Sequence, residues 1–461
     1  MPVHLAEVIL RSRTGERMLE KDFDMSIFRA AEKLRREFEL KYDRDNPVPS
    51  DDAMADRLFR AAIQFYAQVG TYCVDTGRAI RFTEQEIREA LDAAPTSETL
   101  GEGNEQMQMV HRDVEGKQEP IIVAGVQTCI YSDDNMAFRI YKRCAEDKCV
   151  DGIWGGVVTK VDGKYDVIAG TPMEIFGYRR NVELMRRAVA AAGRPGLVII
   201  NNAPTSVATI AMYDPAKGMR RSDSCMSTGV SELKINYDDM DRVAYASGAG
   251  ISMHGAQNSV IGGFSGSVEG ATITCVAGAF QSLLVQQSQI VEASTVPFQV
   301  KSKCTRECLW VGSLALQALC RNTHLIVGGS MGDHPSAGPG TKQYLYEAAA
   351  GFIANVVSGG HHIAGTRKFT IGNTPDYGTP LESRWMGEVS KSAAGMKRTK
   401  ANEIARYLLA KYEPNLRNAP AGGTYADLYD LDKDEPKPEY QRLYNEVKEE
   451  LVGLGLEFRT W

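Results

Sequence analysis

From about residue 119 to residue 364, short apolar segments alternate with longer segments of helical periodicity. Apolar and β-branched runs bounded by Gly, Pro or Asn predict eight strands, at 120–126, 152–158, 197–201, 232–235, 250–253, 291–300, 325–327 and 359–364. Apolar residues at helical spacing predict the helices between most of them, at 135–145, 172–192, 239–247, 267–286, 306–321 and 342–356. Strands that alternate with helices are typical of a parallel sheet.

The number and size of these units favour one architecture. Eight strand–helix units over roughly 250 residues are the size of a (β/α)8 TIM barrel. The competing architecture is a doubly wound open sheet, but no Gly-x-Gly-x-x-Gly sequence follows the first predicted strand. We therefore predict an α/β fold with a TIM barrel over residues 116–384.

Both ends of the chain have charged, helix-forming sequences. In the first part, helical spacing begins near Phe28, and Thr83 with Glu86 forms a capping signal for a helix at 83–93. Further helices are predicted at 51–69, 385–394, 400–412 and 440–454, and the polar segment 96–112 is predicted to be a connector. We expect an N-terminal helical layer (1–115) and a C-terminal helical extension (385–461) around the barrel.

The third predicted strand ends in two amides. The apolar run of residues 197–200 is followed directly by Asn201 and Asn202, and Thr205 is in capping position for a helix. The carboxyl ends of barrel strands are where enzymes of this architecture place their chemistry. The alternative is that both Asn residues only serve the turn, because Asn tolerates positive φ and bonds its own backbone.

Polar residues also follow the later strands. His254 and Gln257 follow the fifth predicted strand, Met331, Asp333 and His334 follow the seventh, and the pair at 361–362 falls in the eighth. Four of the seven histidines thus map near one predicted mouth. A His there could act as a general acid or base or donate a hydrogen bond to a ligand, and the alternative is a structural role for each.

Composition and charge exclude several classes of function. The chain has 461 residues, 43% hydrophobic and 24% charged, with a formal net charge of −6 and no basic stripe, which argues against nucleic-acid binding. The N-terminus does not look like a signal peptide, and no run approaches ~18 apolar residues. Nine cysteines without framework spacing favour a reducing, cytoplasmic location. We predict no metal site, since the cysteine spacings and the absence of His-Glu-x-x-His match no metal motif.

Short strings along nearly the whole chain resemble the monomethylamine:corrinoid methyltransferase family of methylotrophic archaea. The strings that carry the resemblance are Gly70–Thr76, Phe82–Ile87, Leu100–Gly103, Ala192–Gly196, Glu232–Ile235, Gly262–Gly263, Thr305–Glu307, Ala337–Pro339, Met386–Val389, Ala419–Gly422 and Leu454–Phe458. The resemblance implies a TIM barrel with added helices, a homo-oligomer, and methyl transfer to the corrinoid of a separate protein.

The chain departs from the family at the positions that handle methylamine. The resemblance implies pyrrolysine shortly after the Gly193–Gly196 turn, where Ile200 or Asn201 stands here. A family glutamate corresponds to Ala256, another falls near Ala203 or Pro204, and Gln-Tyr-Tyr of the seventh loop is replaced by residues 331–334. Without pyrrolysine, a substrate that already carries a good leaving group is expected, such as a quaternary ammonium compound.

These considerations predict a corrinoid-dependent methyltransferase that holds a methylated amine in line with the cobalt of a partner corrinoid protein, a positioning effect. No cofactor is expected to bind the chain directly. The predicted catalytic residues are Asn201, Asp333 and His334, and the predicted substrate-binding residues are Asn202, His254, Gln257 and Met331. Two alternatives remain open: a lyase or hydrolase acting on a small polar substrate, and a non-catalytic binding protein.

Overall fold

The computed structural model describes residues 3–127, 129–214, 216–369 and 374–460. Its N-terminal part contains both helices and short strands. In chain order these are α1 (Leu5–Thr14), α2 (Glu20–Glu37), α3 (Asp52–Val69), β1 (Thr71–Cys73), β2 (Arg78–Ile80), α4 (Glu84–Asp92), β3 (Ser97–Leu100) and β4 (Met107–Val110). The capping signal predicted at Thr83 is confirmed, because its side chain and that of Glu86 form a reciprocal capping box.

The middle of the chain alternates strands with helices, as predicted. Its elements are β5 (Val123–Ala124), α5 (Asp134–Ala145), β6 (Gly152–Trp154), β7 (Lys160–Val161), β8 (Tyr165–Asp166), α6 (Pro172–Ala191), β9 (Val198–Asn201), α7 (Ser206–Met212), β10 (Ser224–Thr228), β11 (Lys234–Ile235), α8 (Tyr237–Ala249), β12 (Ser252–Ile261), α9 (Val268–Leu284), β13 (Ile290–Pro297), α10 (Arg306–Asn322), β14 (Ile326–Gly329) and α11 (Lys342–Val357). The six predicted helices between strands are confirmed to within a few residues.

Seven of these strands form one parallel sheet that closes on itself. Their order is β14-β13-β12-β10-β9-β6-β5, and every pairing is parallel. The segment after α11 bridges both edges, because His361 pairs with Gly328 and His362 pairs with Ile122. The predicted TIM barrel is therefore confirmed.

One predicted barrel strand is wrong. The segment 232–235 was expected to be the fourth strand, but its β11 pairs with β1 in a small separate sheet. The fourth barrel strand is β10, which reads Ser-Cys-Met-Ser-Thr. Its side chains are small and polar, so a search for large apolar residues passes over it.

The fifth strand is longer than expected. Residues 253–258 were predicted to be a loop after it, whereas β12 continues to Ile261 because it pairs with both β10 and β13. Successive side chains in a strand point to opposite faces. His254 and Ala256 consequently face the barrel interior, and Gln257 faces the surrounding helices.

The segment predicted to be a connector closes the amino end of the barrel. β3 and β4 form an antiparallel hairpin, and its Leu100 and Met109 pack with interior residues of the barrel such as Val198. The hairpin backbone is tied to the starts of neighbouring strands by hydrogen bonds from Gly101 N to Ser222 O and from Glu102 N to Gly196 O. Among the described residues, the barrel interior is therefore closed at its amino end.

The C-terminal part is mainly helical, as expected. Its elements are α12 (Pro380–Ser392), α13 (Arg398–Tyr412), α14 (Tyr425–Leu428), β15 (Tyr429–Asp430), β16 (Glu435–Pro436) and α15 (Pro438–Gly453). Helices α9, α10 and α11 are buried over nearly their whole length, because α2, α3, α12 and α13 cover their outer faces. In the described part of the chain no helix is long and apolar enough to cross a bilayer. The division at residues 115 and 384 stays a prediction.

Candidate active site at the carboxyl end of the barrel

A cavity of about 310 Å³ lies at the carboxyl ends of β6, β9 and β10. Both predicted amides reach it, Asn201 from the end of β9 and Asn202 from the following turn. The other lining residues are Gly155, Gly156, Val157, Tyr178, Ala203, Pro204, Thr228, Asn236, Asp238, Asp239 and Arg242. Among the predicted site residues, the structure brings only these two amides together in this cavity.

Asn201 serves the turn and also presents an unused donor. Its Oδ1 accepts a hydrogen bond from the backbone N–H of Asn202 at 3.0 Å, as expected for a turn residue. Its Nδ2 is buried and has no partner among the described residues. A Cβ on Gly155 would lie 2.7 Å from this Nδ2, so only glycine leaves room for the amide.

The ionisable groups of the cavity carry a net negative charge. Asp239 is 2.9 Å from the guanidinium of Arg242 and accepts a hydrogen bond from Ser227. Asp238 accepts two hydrogen bonds from Ser206, and its other oxygen is 3.6 Å from Arg242. Burial raises the pKa of Asp239, and the charge of Arg242 opposes that shift. Two carboxylates against one guanidinium leave an excess of one negative charge, which suits a monocation.

A second polar group lies inside the barrel. His254 is fully buried, and its Nε2 is 3.0 Å from Oε2 of Glu292, a distance that allows an ionic contact but without hydrogen-bond geometry. Its ring meets Trp154 edge-on, with centroids 6.2 Å apart. Both nitrogens of His254, Oε2 of Glu292 and Nε1 of Trp154 have no hydrogen-bond partner among the described residues. Burying polar groups without hydrogen-bond partners costs free energy, and such groups are therefore found mostly at functional sites.

The ends of β13 and β14 hold a third polar cluster, in which the groups bind one another. Oδ2 of Asp333 accepts a hydrogen bond from Ser330 at 2.5 Å and is 3.6 Å from Nζ of Lys303. Lys303 also donates to Ser330 and to Ser294, and Ser294 donates to Asn258 at 2.6 Å. Asp333 therefore already has a cationic partner within the protein.

Burial sets the protonation of His334. Its Nδ1 is 2.9 Å from Oδ2 of Asp333, and burial lowers the pKa of His334 to about 4 although Asp333 opposes this. Burial alone would raise the pKa of Asp333, but the charges of His334 and Lys303 outweigh burial and hold that pKa well below its usual range. At neutral pH the cluster thus contains an ionised Asp333 and a neutral His334.

Two predicted substrate-binding residues point away from the opening. Gln257 packs against α9 at Gly278 and donates a hydrogen bond to Val230 O at 2.8 Å. Met331 is 1% exposed, and its sulfur lies where a Cβ on Gly312 of α10 would be. The expectation that both side chains line the mouth is wrong, because their backbone positions direct them toward the helical layer.

The expected cluster of four histidines at one mouth is also wrong. His361 contacts the closed end of the barrel, where its Nε2 is 2.8 Å from Val110 O of the hairpin. His362 faces α11, where its Nε2 is 3.0 Å from Asn355. Burial lowers the pKa of His361 to about 3 and that of His362 to about 4, so both are neutral packing residues. His254 faces the barrel interior, and His334 belongs to the Asp333 cluster.

Sequence reasoning missed Glu292, Lys303, Asp238 and Arg242. Glu292 stands within an apolar run, and a single charged residue in a buried strand was the signal that could have drawn attention to it. Asp238 and Arg242 are on α8, which follows β10, and their role depends on the register of a strand that the sequence did not reveal. Within the described ranges, no group of three or more His, Cys, Asp or Glu side chains could hold a metal ion.

Comparison with known proteins agrees with this architecture over its full length. The sequence model of the family described as monomethylamine methyltransferase MtmB matches residues 3–456. The chain belongs to the MtmB family. MtmB2 of Methanosarcina acetivorans is 32% identical over 450 residues, and MtmB2 of Methanosarcina barkeri is 31% identical, each alignment covering 97% of both chains.

Solved structures of MtmB have the same fold. The crystal structure of Methanosarcina barkeri MtmB matches with a TM-score of 0.93 and 29% identity, covering 99% of both chains. The hydroxylamine complex of MtmB matches equally well. The resemblance inferred from short strings is thereby confirmed, and the chain is an enzyme of the methyltransferase class.

Proposed function

We propose that the chain transfers a methyl group from a small cationic methylated amine, quaternary rather than primary, to the corrinoid of a partner protein. Membership in the MtmB family over the whole chain supports methyl transfer from an amine. The relatives are named for monomethylamine, so methylamine itself is the competing substrate. The observation that carries the quaternary preference is the chemistry of the cavity lining.

The described residues of the cavity lining include no electrophilic group that could form an adduct with an amine. None of its described residues is a lysine, cysteine or histidine. Burial raises the pKa of Tyr178 to about 12, so its hydroxyl is a poor proton donor at neutral pH. A primary amine leaves as a neutral molecule only if it is bound as its ammonium ion and keeps that proton until the C–N bond breaks. A quaternary nitrogen leaves as a neutral tertiary amine, because the electron pair of the broken C–N bond cancels its charge.

The cavity can nevertheless bind and orient such a donor. Its net negative charge attracts the cation, and the free Nδ2 of Asn201 together with the amide of Asn202 can bind a polar substituent. The corrinoid, when its carrier presents it, supplies Co(I) as the nucleophile. Holding the N-methyl carbon in line with that nucleophile is the contribution left to the protein.

The surface around the opening suits a protein partner. Exposed apolar side chains follow the carboxyl ends of five consecutive barrel strands. They are Phe176, Val207, Val230, Phe264 and Phe298, with exposures from 39% to 74%. Exposed apolar side chains placed around an opening are suited to contact with a protein partner. We place the corrinoid carrier on this rim, above the cavity.

The test is methyl transfer with a cobalamin-loaded corrinoid protein reduced to Co(I), followed by the loss of Co(I) absorbance. We expect tetramethylammonium or another quaternary N-methyl compound to consume Co(I), and methylammonium to leave it unchanged. Methylammonium turnover at a comparable rate would contradict the quaternary preference. A lack of transfer from every N-methyl compound would contradict the function itself.

A further inference from the structure

Glu292 is a buried carboxylate whose Oε2 has no hydrogen-bond partner among the described residues. It is 3% exposed, and no described lysine or arginine lies within ion-pair distance of it. His254 is its one close polar neighbour, and the two do not form a hydrogen bond. By contrast, the buried carboxylate of Glu347 accepts hydrogen bonds from Ser302 and Ser336. A buried charge without a partner destabilises the folded protein by several kcal/mol as a rule. A bound ligand of opposite charge would supply that partner.

A small residue, Ala256, lies between this carboxylate and the cavity-lining Thr228. On β12, Ala256 pairs with Thr228 on one side and with Glu292 on the other, and all three face the interior. Ala256 contributes only a methyl group, and Thr228 is exposed although it is an interior position. Thr228 also lines the cavity at the end of β9. Thr228 at the cavity is therefore separated from Glu292 only by the methyl-bearing Ala256 strand, a distance of two strand spacings, roughly 10 Å.

We infer that Glu292 is the anionic subsite for the substrate's ammonium group, and that the unpaired carboxylate receives its countercharge from the cation itself. This inference rests on the proposed function and names the group that binds its substrate. His254 orients the carboxylate through its contact with Oε2. Asp238 is less suited to this role, because it already accepts two hydrogen bonds from Ser206 and lies near Arg242.

Calorimetric titration of the full chain with tetramethylammonium chloride tests the subsite without any corrinoid. We expect Glu292→Gln to weaken binding by about tenfold or more, equivalent to at least ~1.4 kcal/mol, and Asp238→Asn to weaken it less than about threefold. Neutral tert-butanol should bind the wild type and Glu292→Gln equally. Glu292→Asp retains the charge and should keep most of the preference for the cation over tert-butanol.

Glu98→Gln provides the matched control, because Glu98 is on the hairpin at the closed end of the barrel. It should bind tetramethylammonium as the wild type does. Unchanged affinity in Glu292→Gln, a larger loss in Asp238→Asn, or no binding by the wild type would each overturn the inference. If the cation binds through Glu292 but no methyl group is transferred, the proposed function fails while the subsite stands.

Discussion

Both sides of the barrel opening have polar residues after their strands, but the surroundings of those residues differ. At the ends of β6, β9 and β10, the amides of Asn201 and Asn202 border open space and retain unused hydrogen-bonding groups. At the ends of β13 and β14, Lys303 and Asp333 are buried and offset each other's charge, and a neutral His334 lies beside them. Polar residues after a barrel strand can thus form a site or close a wall.

The comparison shows that a charged residue near a predicted active site must be checked for a countercharge within the protein. Asp333 was predicted to be a catalytic residue, yet Lys303 is already its countercharge. Glu292, which no motif indicated, has no lysine or arginine within ion-pair distance among the described residues. Unsatisfied charge is therefore a better guide to ligand binding than position after a strand. The catalytic roles of Asn201, Asp333 and His334 stay predictions.

The largest expected effect on the free energy of unfolding comes from removing Asp333 at the ends of β13 and β14. Asp333→Ala leaves Lys303 buried without its carboxylate, so it should lower the free energy of unfolding by about 3–5 kcal/mol. Asp238→Asn on the open side should cost less than about 1 kcal/mol, because its side chain is partly exposed. Urea unfolding of both variants gives the comparison. Equal losses would show that the two sides do not differ as described.

A smaller effect is expected from acid. Because burial lowers the pKa of His334 to about 4, the unfolded chain binds a proton there as pH falls below 6.5 while the folded chain does not. The contribution of His334 to the free energy of unfolding is therefore fully present above about pH 6.5. It decreases by roughly 2–3 kcal/mol as the pH falls toward 4.

Unfolding free energies measured from pH 7 to pH 4 test the sign. His334→Gln should flatten this part of the curve, and the remaining slope belongs to other groups, His361 and His362 among them. Asn202→Ala on the open side should keep the wild-type slope. A slope in His334→Gln as steep as in the wild type would contradict a neutral buried His334.

The smallest effect on stability is expected on the open side. Asn202 is partly exposed, so Asn202→Ala should change the free energy of unfolding by no more than about 0.5 kcal/mol. The same variant should lower methyl transfer several-fold, since the amide borders the cavity. Thermal unfolding and the Co(I) assay on one preparation separate the two. A fall in stability without loss of transfer would assign the residue to the turn alone.

Much of the fold could be predicted because its signals are local. Apolar periodicity located the helices around the barrel, and the alternation of strands and helices gave the architecture. β10 escaped because Ser224–Thr228 has no apolar run, and its strand character comes from pairing with β9 and β12. The hairpin β3–β4 escaped for a similar reason: its apolar residues are few, and its segments 97–99 and 101–106 consist of polar residues and glycine.

The site was harder to predict, because its chemistry depends on which way each side chain points. One-residue differences in register decide that His254 faces inward and Gln257 outward. Pairing across strands then places Glu292 beside Ala256, residues far apart in sequence. Asn201 and Asn202 were found because a strand end followed by amides is a local signal. Countercharges such as that of Lys303 on Asp333 are visible only in three dimensions.

The hairpin that fills the amino end of the barrel has a kinetic consequence for the proposed reaction. Among the described residues, the hairpin closes the amino end of the barrel and leaves the carboxyl end open. The exposed apolar side chains around that open end are where we place the corrinoid carrier. A carrier seated there traps the demethylated amine beneath it. Turnover is then ordered, with the carrier departing before the spent amine, and added amine product should compete with fresh substrate but not with the carrier.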